Sequence, residues 1–330
     1  MDRARVVRFS VTVATLFSAV AAQEVRLSNG EVIPGSVKSV DGSRAKITTI
    51  EGKMRVVGVE SIDCERLVDG SVKRHPARLA TGALDAASRA ALTRLQEGAA
   101  ILEEELRPLT VRCTQEAIDA LRAVAANKGH RSRQVATRIL ALTATKEGIR
   151  AAFDVANADA GGPLWAALAS VISSGACIGA IEAAGARPDV DAMVASKDRQ
   201  VRFTCSWIAA KLGSPEALPV LATFVGDPDH HIRESAATCL AECGNAAGAK
   251  ILIGMCTREK SPEMEANRKA DAETRDMLLR MVARERIHAC ELLGRLQCKE
   301  AIPALTALGK NRDAALAAAA KKALAAIRDA

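Results

Sequence analysis

Apolar residues recur at helical spacing along most of the chain and alternate strictly in one short stretch near the beginning. Residues 24–64 alternate between apolar and polar positions, interrupted by the turn dipeptides Asn29-Gly30, Asp41-Gly42 and Glu51-Gly52. From about Pro76 onward, apolar residues recur every three or four positions in Ala-, Leu-, Glu- and Arg-rich sequence. The pattern predicts a mainly α protein with a small β domain of four or five short strands before the helices.

A short segment recurs in the helical region. It starts with a polar residue or cysteine, carries glutamate at its third position in four of five copies, and continues with mainly apolar residues. The copies are TQEAIDAL (114–121), TKEGIRAA (145–152), SPEALPVL (214–221), NAAGAKIL (245–252) and CKEAIPAL (298–305). The first two copies start 31 residues apart, as do the third and fourth, and an insertion at about 254–276 lengthens the last interval. The long interval between the second and third copies holds one degenerate unit around 186–194. Such a period indicates stacked helical repeats.

A second helix precedes most copies and begins with arginine. These helices are RQVATRILALT (133–143), RFTCSWIAAKL (202–212), RESAATCLAEC (233–243) and RIHACELLGRL (286–296). Gly213 and Gly244 stand between the two helices, where the chain must turn. Ser, Thr or Asn starts four of the five copies and suits a helix N-cap. The unit is therefore helix–turn–helix, about 31 residues long and present five or six times.

The motif D-P-D-x-x-I-R-x-S-A-A-x-x-L-x-x-C-G at 227–244 resembles HEAT-like repeats of the phycobilisome lyase type. The resemblance covers roughly residues 109–330 and implies an α-solenoid. The strand-rich segment, about 45 residues, resembles small SH3-like or Sm-like barrels. The predicted domains are a β domain at 23–70, a linking and capping helix at 76–108 and the solenoid at 109–330.

The N-terminus has the pattern of a secretory signal peptide. A short basic stretch leads into an apolar run from Phe9 to Val20, and small residues follow before Gln23. The run is shorter than the ~20 residues that span a bilayer. Residues 1–22 are therefore expected to be removed, by cleavage after Ala21 or Ala22, and the protein to be periplasmic or extracellular.

Charge and composition narrow the range of partners. The net charge of +7 would fall to about +5 with the signal removed, which is mild for a chain with 26% charged residues. Aromatic residues make up 2%, so small aliphatic side chains must fill the core, as in closely packed helices.

The nine cysteines are an odd number with no disulfide framework in their spacing. A disulfide between neighbouring repeats stays open, and its pairing cannot be read from the sequence.

His230, His231, Cys239 and Cys243 are residue types that bind zinc or iron. Alignment of the repeats argues against a metal site. Cys239 and Cys243 fall in columns where sister repeats carry mostly aliphatic residues, so both are expected in the core. The histidines fall at the polar start of the helix. We therefore expect no metal and no cofactor.

One arginine per repeat stands at the same place, in a column formed by Arg133, Arg202, Arg233 and Arg286. The column could bind anions, or it could pair with acidic turns such as those of Asp198 and Asp229. Regular spacing favours the second interpretation, a ladder of salt bridges between stacked repeats. These six residues are the candidate structural or partner-binding positions.

The sequence favours a non-catalytic exported scaffold that binds a protein partner along the solenoid surface. A lyase-like repeat enzyme or enzyme accessory is the first alternative, and a nucleic-acid-binding solenoid is the second. Deoxyhypusine hydroxylases, which share this repeat type, bind iron through His-Glu pairs, and no His-Glu dipeptide occurs here. No nucleic-acid partner is expected.

Overall fold

The computed structural model describes residues 24–27, 31–67, 72–159, 162–260 and 271–329. The predicted signal segment 1–22, the Asn29-Gly30 turn and residues 261–270 of the predicted insertion lie outside these ranges. Contacts between residues divide the chain into two compact units, Met1–Thr204 and Cys205–Ala330.

The N-terminal unit begins with an antiparallel sheet in the order β4-β3-β2-β1-β5-β6. Its strands are β1 (Glu24–Leu27), β2 (Val32–Asp41), β3 (Arg44–Thr49), β4 (Met54–Gly58), β5 (Ile62–Arg66) and β6 (Val72–Lys73). Alternate residues such as Val25, Ile33 and Ile47 are buried on one face. The predicted Asp41-Gly42 and Glu51-Gly52 turns join β2 to β3 and β3 to β4. A 3-10 turn, Val59–Ser61, leads from β4 into β5.

The rest of the described chain is helical. The helices of the N-terminal unit are α1 (Ala86–Gln96), α2 (Glu103–Leu106), α3 (Pro108–Val111), α4 (Gln115–Ala126), α5 (Arg133–Leu142), α6 (Lys146–Ala158), α7 (Pro163–Ala169), α8 (Gly175–Ala183) and α9 (Arg187–Met193). The unit boundary falls inside α10 (Arg199–Lys211). The helices of the C-terminal unit are α11 (Ala217–Thr223), α12 (His230–Glu242), α13 (Ala249–Thr257), α14 (Ala272–Arg295), α15 (Ile302–Leu308) and α16 (Ala314–Arg328).

Helix pairs are the repeating element, as the sequence predicts. In each pair a first helix (α5, α10, α12 or α14) is followed by a second (α6, α11, α13 or α15). The first helices meet their neighbours through small residues, since Ala136, Cys205, Ala236 and Ala289 of one column are all buried. The predicted fold class is confirmed: a mainly α, HEAT-like helical repeat preceded by a small antiparallel sheet.

The degenerate unit of the sequence contains three helices, α7, α8 and α9. The middle one, α8, is buried from Gly175 to Ile181, on every side. It packs against β5 and the 3-10 turn before it. Gly179 allows this approach, because a Cβ there would lie 3.0 Å from Cβ of Arg74 in the segment after the sheet. The extra helix therefore attaches the sheet to the repeats of the same unit.

The segment 76–108 differs from the single capping helix that the sequence predicts. Helix α1 ends at Gln96, because Gly98 takes a left-handed conformation with φ of +84° and Ala99 N–H bonds back to the Arg94 carbonyl. Leu102, which a continuous helix would place about two turns from Leu95 on the same face, is 69% exposed. Leu106, after the break, is fully buried in the short helix α2. Among the described residues, no helix is both long and apolar enough to cross a membrane.

The turn between the two helices of a pair always places one residue in the left-handed region. Gly213 and Gly244 have φ of +80° and +77°, as their position in the repeat predicts. Ala144 and Gln297 occupy the equivalent position in two other repeats, with φ of +50° and +52°. A side chain there is strained, since Cβ crowds the backbone in this conformation.

We expect Gln297→Gly to stabilise the protein by about 1 kcal/mol, because glycine adopts the left-handed conformation without strain. Gly213→Gln, the reverse exchange at the equivalent position, is expected to destabilise it by about 1–2 kcal/mol. Urea unfolding of both variants measures the difference. Gln297→Ala is the control: it keeps a Cβ and should leave stability nearly unchanged. A loss of stability in Gln297→Gly would contradict the strain.

Candidate protein-binding surface

The four arginines of the column share one contact, a hydrogen bond from the guanidinium to a backbone carbonyl near the end of the preceding helix. The bonds are Arg133 Nε to Ala125 O (3.0 Å), Arg202 Nη1 to Ser196 O (2.8 Å), Arg233 Nη1 to Asp227 O (2.6 Å) and Arg286 Nε to Cys256 O (3.0 Å). Carbonyls at a helix C-terminus lack partners within the helix. A guanidinium supplies charged donors for them, so each arginine joins the end of one helix to the first helix of the next pair.

The contact of Arg286 shows that this hydrogen bond depends on position in the repeat and not on how far apart donor and acceptor lie in the sequence. Its acceptor, Cys256, lies 30 residues earlier, whereas the other three acceptors lie six to eight residues before their arginines. The additional residues between α13 and α14 therefore leave this joint intact. Arg133 adds an ion pair to Asp159 at 3.0 Å, in which both side chains are mostly buried.

Asp198 and Asp229 have a different role from the salt-bridge partners that the sequence suggests. Asp198 Oδ1 accepts a hydrogen bond from Val201 N at 2.9 Å, and Asp229 Oδ1 accepts one from His231 N at 2.9 Å. Both carboxylates therefore cap the first turn of their own helix. The arginines of the column therefore join repeats through hydrogen bonds to backbone carbonyls. The two aspartates instead cap the N-termini of α10 and α12.

A ladder of charges does exist in the N-terminal unit, on residues that the sequence analysis missed. Arg122 of α4 pairs with Asp154 of α6 at 3.2 Å, and Arg150 pairs with Asp154 at 2.8 Å. Arg150 also reaches Asp189 of α9 at 2.9 Å, where Asn157 donates a further bond at 2.7 Å. Sequence signals for it were the i,i+4 pair Arg150–Asp154 and the one-repeat separation of Arg122 and Asp154.

The histidines and cysteines of α12 lie at opposite ends of that helix. His230 and His231 are in its first turn, with ring centroids 3.9 Å apart, and roughly 12 Å of helix axis separates them from Cys239. Cys239 is buried and replaces an aliphatic residue, as predicted. The prediction for Cys243 is wrong: this residue is exposed, because α12 ends at Glu242 and Cys243 is its C-cap. The four side chains do not converge on one point.

A polar cluster lies across three helices near the end of α12. Lys211 Nζ is 2.6 Å from Glu242 Oε2, and His288 Nε2 of α14 is 3.5 Å from Glu242 Oε1. Lys211 also lies over the ring of Trp207, 5.3 Å from its centroid. Burial alone would raise the pKa of Glu242, but the hydrogen bond from His288 and the charge of Lys211 outweigh it and lower the pKa to about 2. The cluster therefore holds an ionised glutamate between its neighbours.

Helix α14 has 24 residues, against 13 in α12, and its added N-terminal turns carry exposed apolar side chains. Met277, Leu279 and Met281 are each 45–49% exposed. Leu278 and Val282, which lie between them around the helix, are buried. The described parts of the predicted insertion thus end α13 and begin α14, and the exposed apolar side chains follow directly after it.

Residues 188–270 match the family model of HEAT repeats. A comparison with curated proteins by sequence finds no match. Several solved helical-repeat structures are similar at low identity. An engineered protein has 16% identity and a TM-score of 0.39, with 66% of this chain and 98% of that chain covered.

Two further solved structures extend the comparison. A designed armadillo repeat protein has 16% identity and a TM-score of 0.33, with coverage of 72% and 99%. Human deoxyhypusine hydroxylase has 14% identity and a TM-score of 0.30, with coverage of 69% and 79%. At these scores the similarities transfer no role to this chain.

Arg233→Ala is expected to lower the free energy of unfolding by about 1.5–3 kcal/mol, because it removes charged donors from two carbonyls, Asp227 O and Pro228 O. Thermal unfolding of the full chain measures the loss. Arg284→Ala serves as the control, since Arg284 is exposed on α14, and it should change stability by less than ~0.5 kcal/mol. Equal stability of the two variants would contradict the carbonyl joint.

Glu242→Gln is expected to make the free energy of unfolding less dependent on pH in the acidic range. The folded pKa of about 2 lies below the ordinary value of 4.5, so ionised Glu242 contributes stability above pH 4.5 that is lost as the pH falls towards 2. The contribution near neutral pH is roughly 3 kcal/mol. Urea unfolding at a series of pH values should show the wild type and the variant converging between pH 4.5 and 2. A difference that stays constant over this range would exclude the proposed pairing.

Proposed function

We propose that this protein is a non-catalytic, exported scaffold that binds a protein partner through the surface of its helical repeats. The observation that carries the proposal is the apolar surface at the start of α14. Its occupant would be a protein segment that presents apolar side chains to this helix, and the charged side chains around it would form the polar rim.

The apolar positions at the start of α14 cover a wider arc of the helix than the part that is buried against the core. At 100° per residue, the five apolar positions 277, 278, 279, 281 and 282 cover about 200° of the helix circumference. The centre of this arc, at Leu278 and Val282, is buried, whereas Met277 and Met281 lie exposed on one side and Leu279 on the other. A helix that only closed the core would need a narrower arc. Met277 and Met281, one turn apart on the same side, form an exposed apolar pair that favours an interaction site.

The chemistry of the surface favours a protein partner over nucleic acid. Methionine adapts to varied apolar partners because its side chain is unbranched and flexible. Asp276 and Arg280 beside the patch pair with each other at 2.8 Å, so the rim is charged but balanced. The regular arginines Arg133, Arg202, Arg233 and Arg286 donate to backbone carbonyls and do not present a free row of guanidinium groups for phosphates.

Export is part of the same proposal and rests on the sequence of residues 1–22, with its basic start, apolar run and small residues before Gln23.

The predicted SH3-like or Sm-like fold of the N-terminal strands is also part of this proposal. The strand order and the 3-10 turn between β4 and β5 support an SH3-like or Sm-like module. In this proposal the module is a structural or docking element of the scaffold.

The experiment compares three forms of the full chain as bait for proteins of the envelope fraction: the wild type, Met277→Glu/Met281→Glu, and Met54→Glu/Val56→Glu. We expect the wild type and the strand variant to retain the same partner and the helix variant to lose it by at least tenfold. The strand variant is the matched control, because Met54 and Val56 are exposed apolar residues on β4. Equal melting temperatures would confirm that the helix variant is folded.

Two outcomes would contradict the proposal. Retention of the same partner by the helix variant would exclude α14 as the binding surface, and the absence of any specific partner would exclude the scaffold function. N-terminal sequencing of the bait, expressed with its own leader, tests export in the same experiment. A first residue at Ala22 or Gln23 is expected, and an intact residue 1 in a protein confined to the cytoplasm would overturn the export proposal.

A further inference from the structure

Two cysteines on different helices meet in the core of the C-terminal unit. Cys256 lies in the last turns of α13 and Cys290 in the second half of α14, and both are fully buried in one apolar cluster. The cysteines are free thiols in this structure. Neither residue has a part in the proposed binding surface, so the inference rests on the export part of the proposed function and not on partner binding.

The backbone joint described above fixes how the two cysteines face each other. Arg286 Nε donates to the carbonyl of Cys256 at 3.0 Å, which holds the end of α13 against one turn of α14. Cys290 lies four residues after Arg286, so it is on the same side of α14, one turn further along. The two thiols are close enough in this contact for each to shift the pKa of the other.

We propose that Cys256 and Cys290 form a structural disulfide that links α13 to α14 when the chain folds in the presence of a disulfide oxidant. The oxidant is a small-molecule or protein disulfide of the kind found in oxidising compartments. Because both thiols are fully buried, the exchange takes place while the two helices are still apart or transiently separated.

The reaction is two consecutive thiol–disulfide exchanges. The Cys256 thiolate attacks one sulfur of the oxidant, forms a mixed disulfide and releases the other sulfur as a thiolate. Cys290 then loses its proton and attacks Sγ of Cys256, which forms the Cys256–Cys290 bond and releases the second thiolate of the oxidant. Two electrons and two protons pass from the protein to the oxidant, which leaves as two thiols.

A second cysteine pair provides an internal comparison. The thiols of Cys239 and Cys243 also interact, but both residues belong to the end of α12, four positions apart. Cβ atoms at that spacing in a helix are about 5–6 Å apart, and a disulfide needs about 3.5–4.5 Å. This pair should therefore stay reduced while the helix is folded.

The linked helices should be more stable than the reduced ones. The bond would close a loop with 33 residues between the two cysteines, which restricts the unfolded chain. We expect the melting temperature of the oxidised protein to exceed that of the reduced protein by roughly 10 °C.

The experiment refolds the reduced full chain in a mixture of oxidised and reduced glutathione. We expect the intact mass to fall by 2 Da, since two hydrogens are lost. Tryptic digestion without reductant should yield residues 251–258 joined to residues 287–295. Cys239 and Cys243 fall within one tryptic peptide, 234–250, so a bond between them gives a different product.

Cys290→Ser provides the control variant, because equivalent positions in other repeats are Thr137, Ser206 and Ala237, all buried. The variant should fold, lack the linked peptides and show no rise in melting temperature on oxidation. Several results would overturn the proposal: full retention of both thiols after refolding, a bond between Cys239 and Cys243 in place of the predicted one, or a lower melting temperature in the oxidised wild type.

Discussion

Backbone carbonyls at the end of a helix need partners, and in this protein the next helix provides them. One arginine at a fixed place in the repeat donates to a carbonyl at, or just beyond, the C-terminus of the helix before it. A hydrogen bond to a helix end has a defined direction, so the joint sets both the distance and the orientation of the following helix. Apolar packing between small side chains then fills the contact. The same joint forms at Arg286 after a long interval, which shows that the repeat tolerates additional chain at this place.

The parts of the fold that could be predicted are those that local chemistry determines. Thr114, Thr145 and Asn245 cap helices as their residue types indicate, and Gly213 and Gly244 turn the chain where only glycine is unstrained. The small-residue column and the buried position of Cys239 follow from the alignment of repeats. These features repeat, so each copy tests the interpretation of the others.

The parts that the sequence did not predict depend on contacts with distant residues. Helix α8 is apolar on every side and therefore has no amphipathic period to recognise, and its burial depends on a sheet more than 100 residues earlier. The break at Gly98 interrupts an otherwise regular apolar spacing. For the arginine column, the sequence identified the right residues but suggested carboxylate partners, because carbonyl acceptors carry no signal in the sequence. The ladder of Arg122, Asp154, Arg150 and Asp189 was missed because, apart from the i,i+4 pair Arg150–Asp154, its contacts join separate helices.

Helix α8 also constrains how this architecture can change during evolution. Repeat proteins usually gain and lose modules freely, since each repeat contacts only its neighbours. Here the sheet covers a helix whose Ile178 and Ile181 have no exposed face. A chain that lost the strands would expose these side chains, and one that lost the extra helix would leave the sheet without its support. The strands and the degenerate repeat must therefore be inherited together, while repeats elsewhere remain free to vary in number.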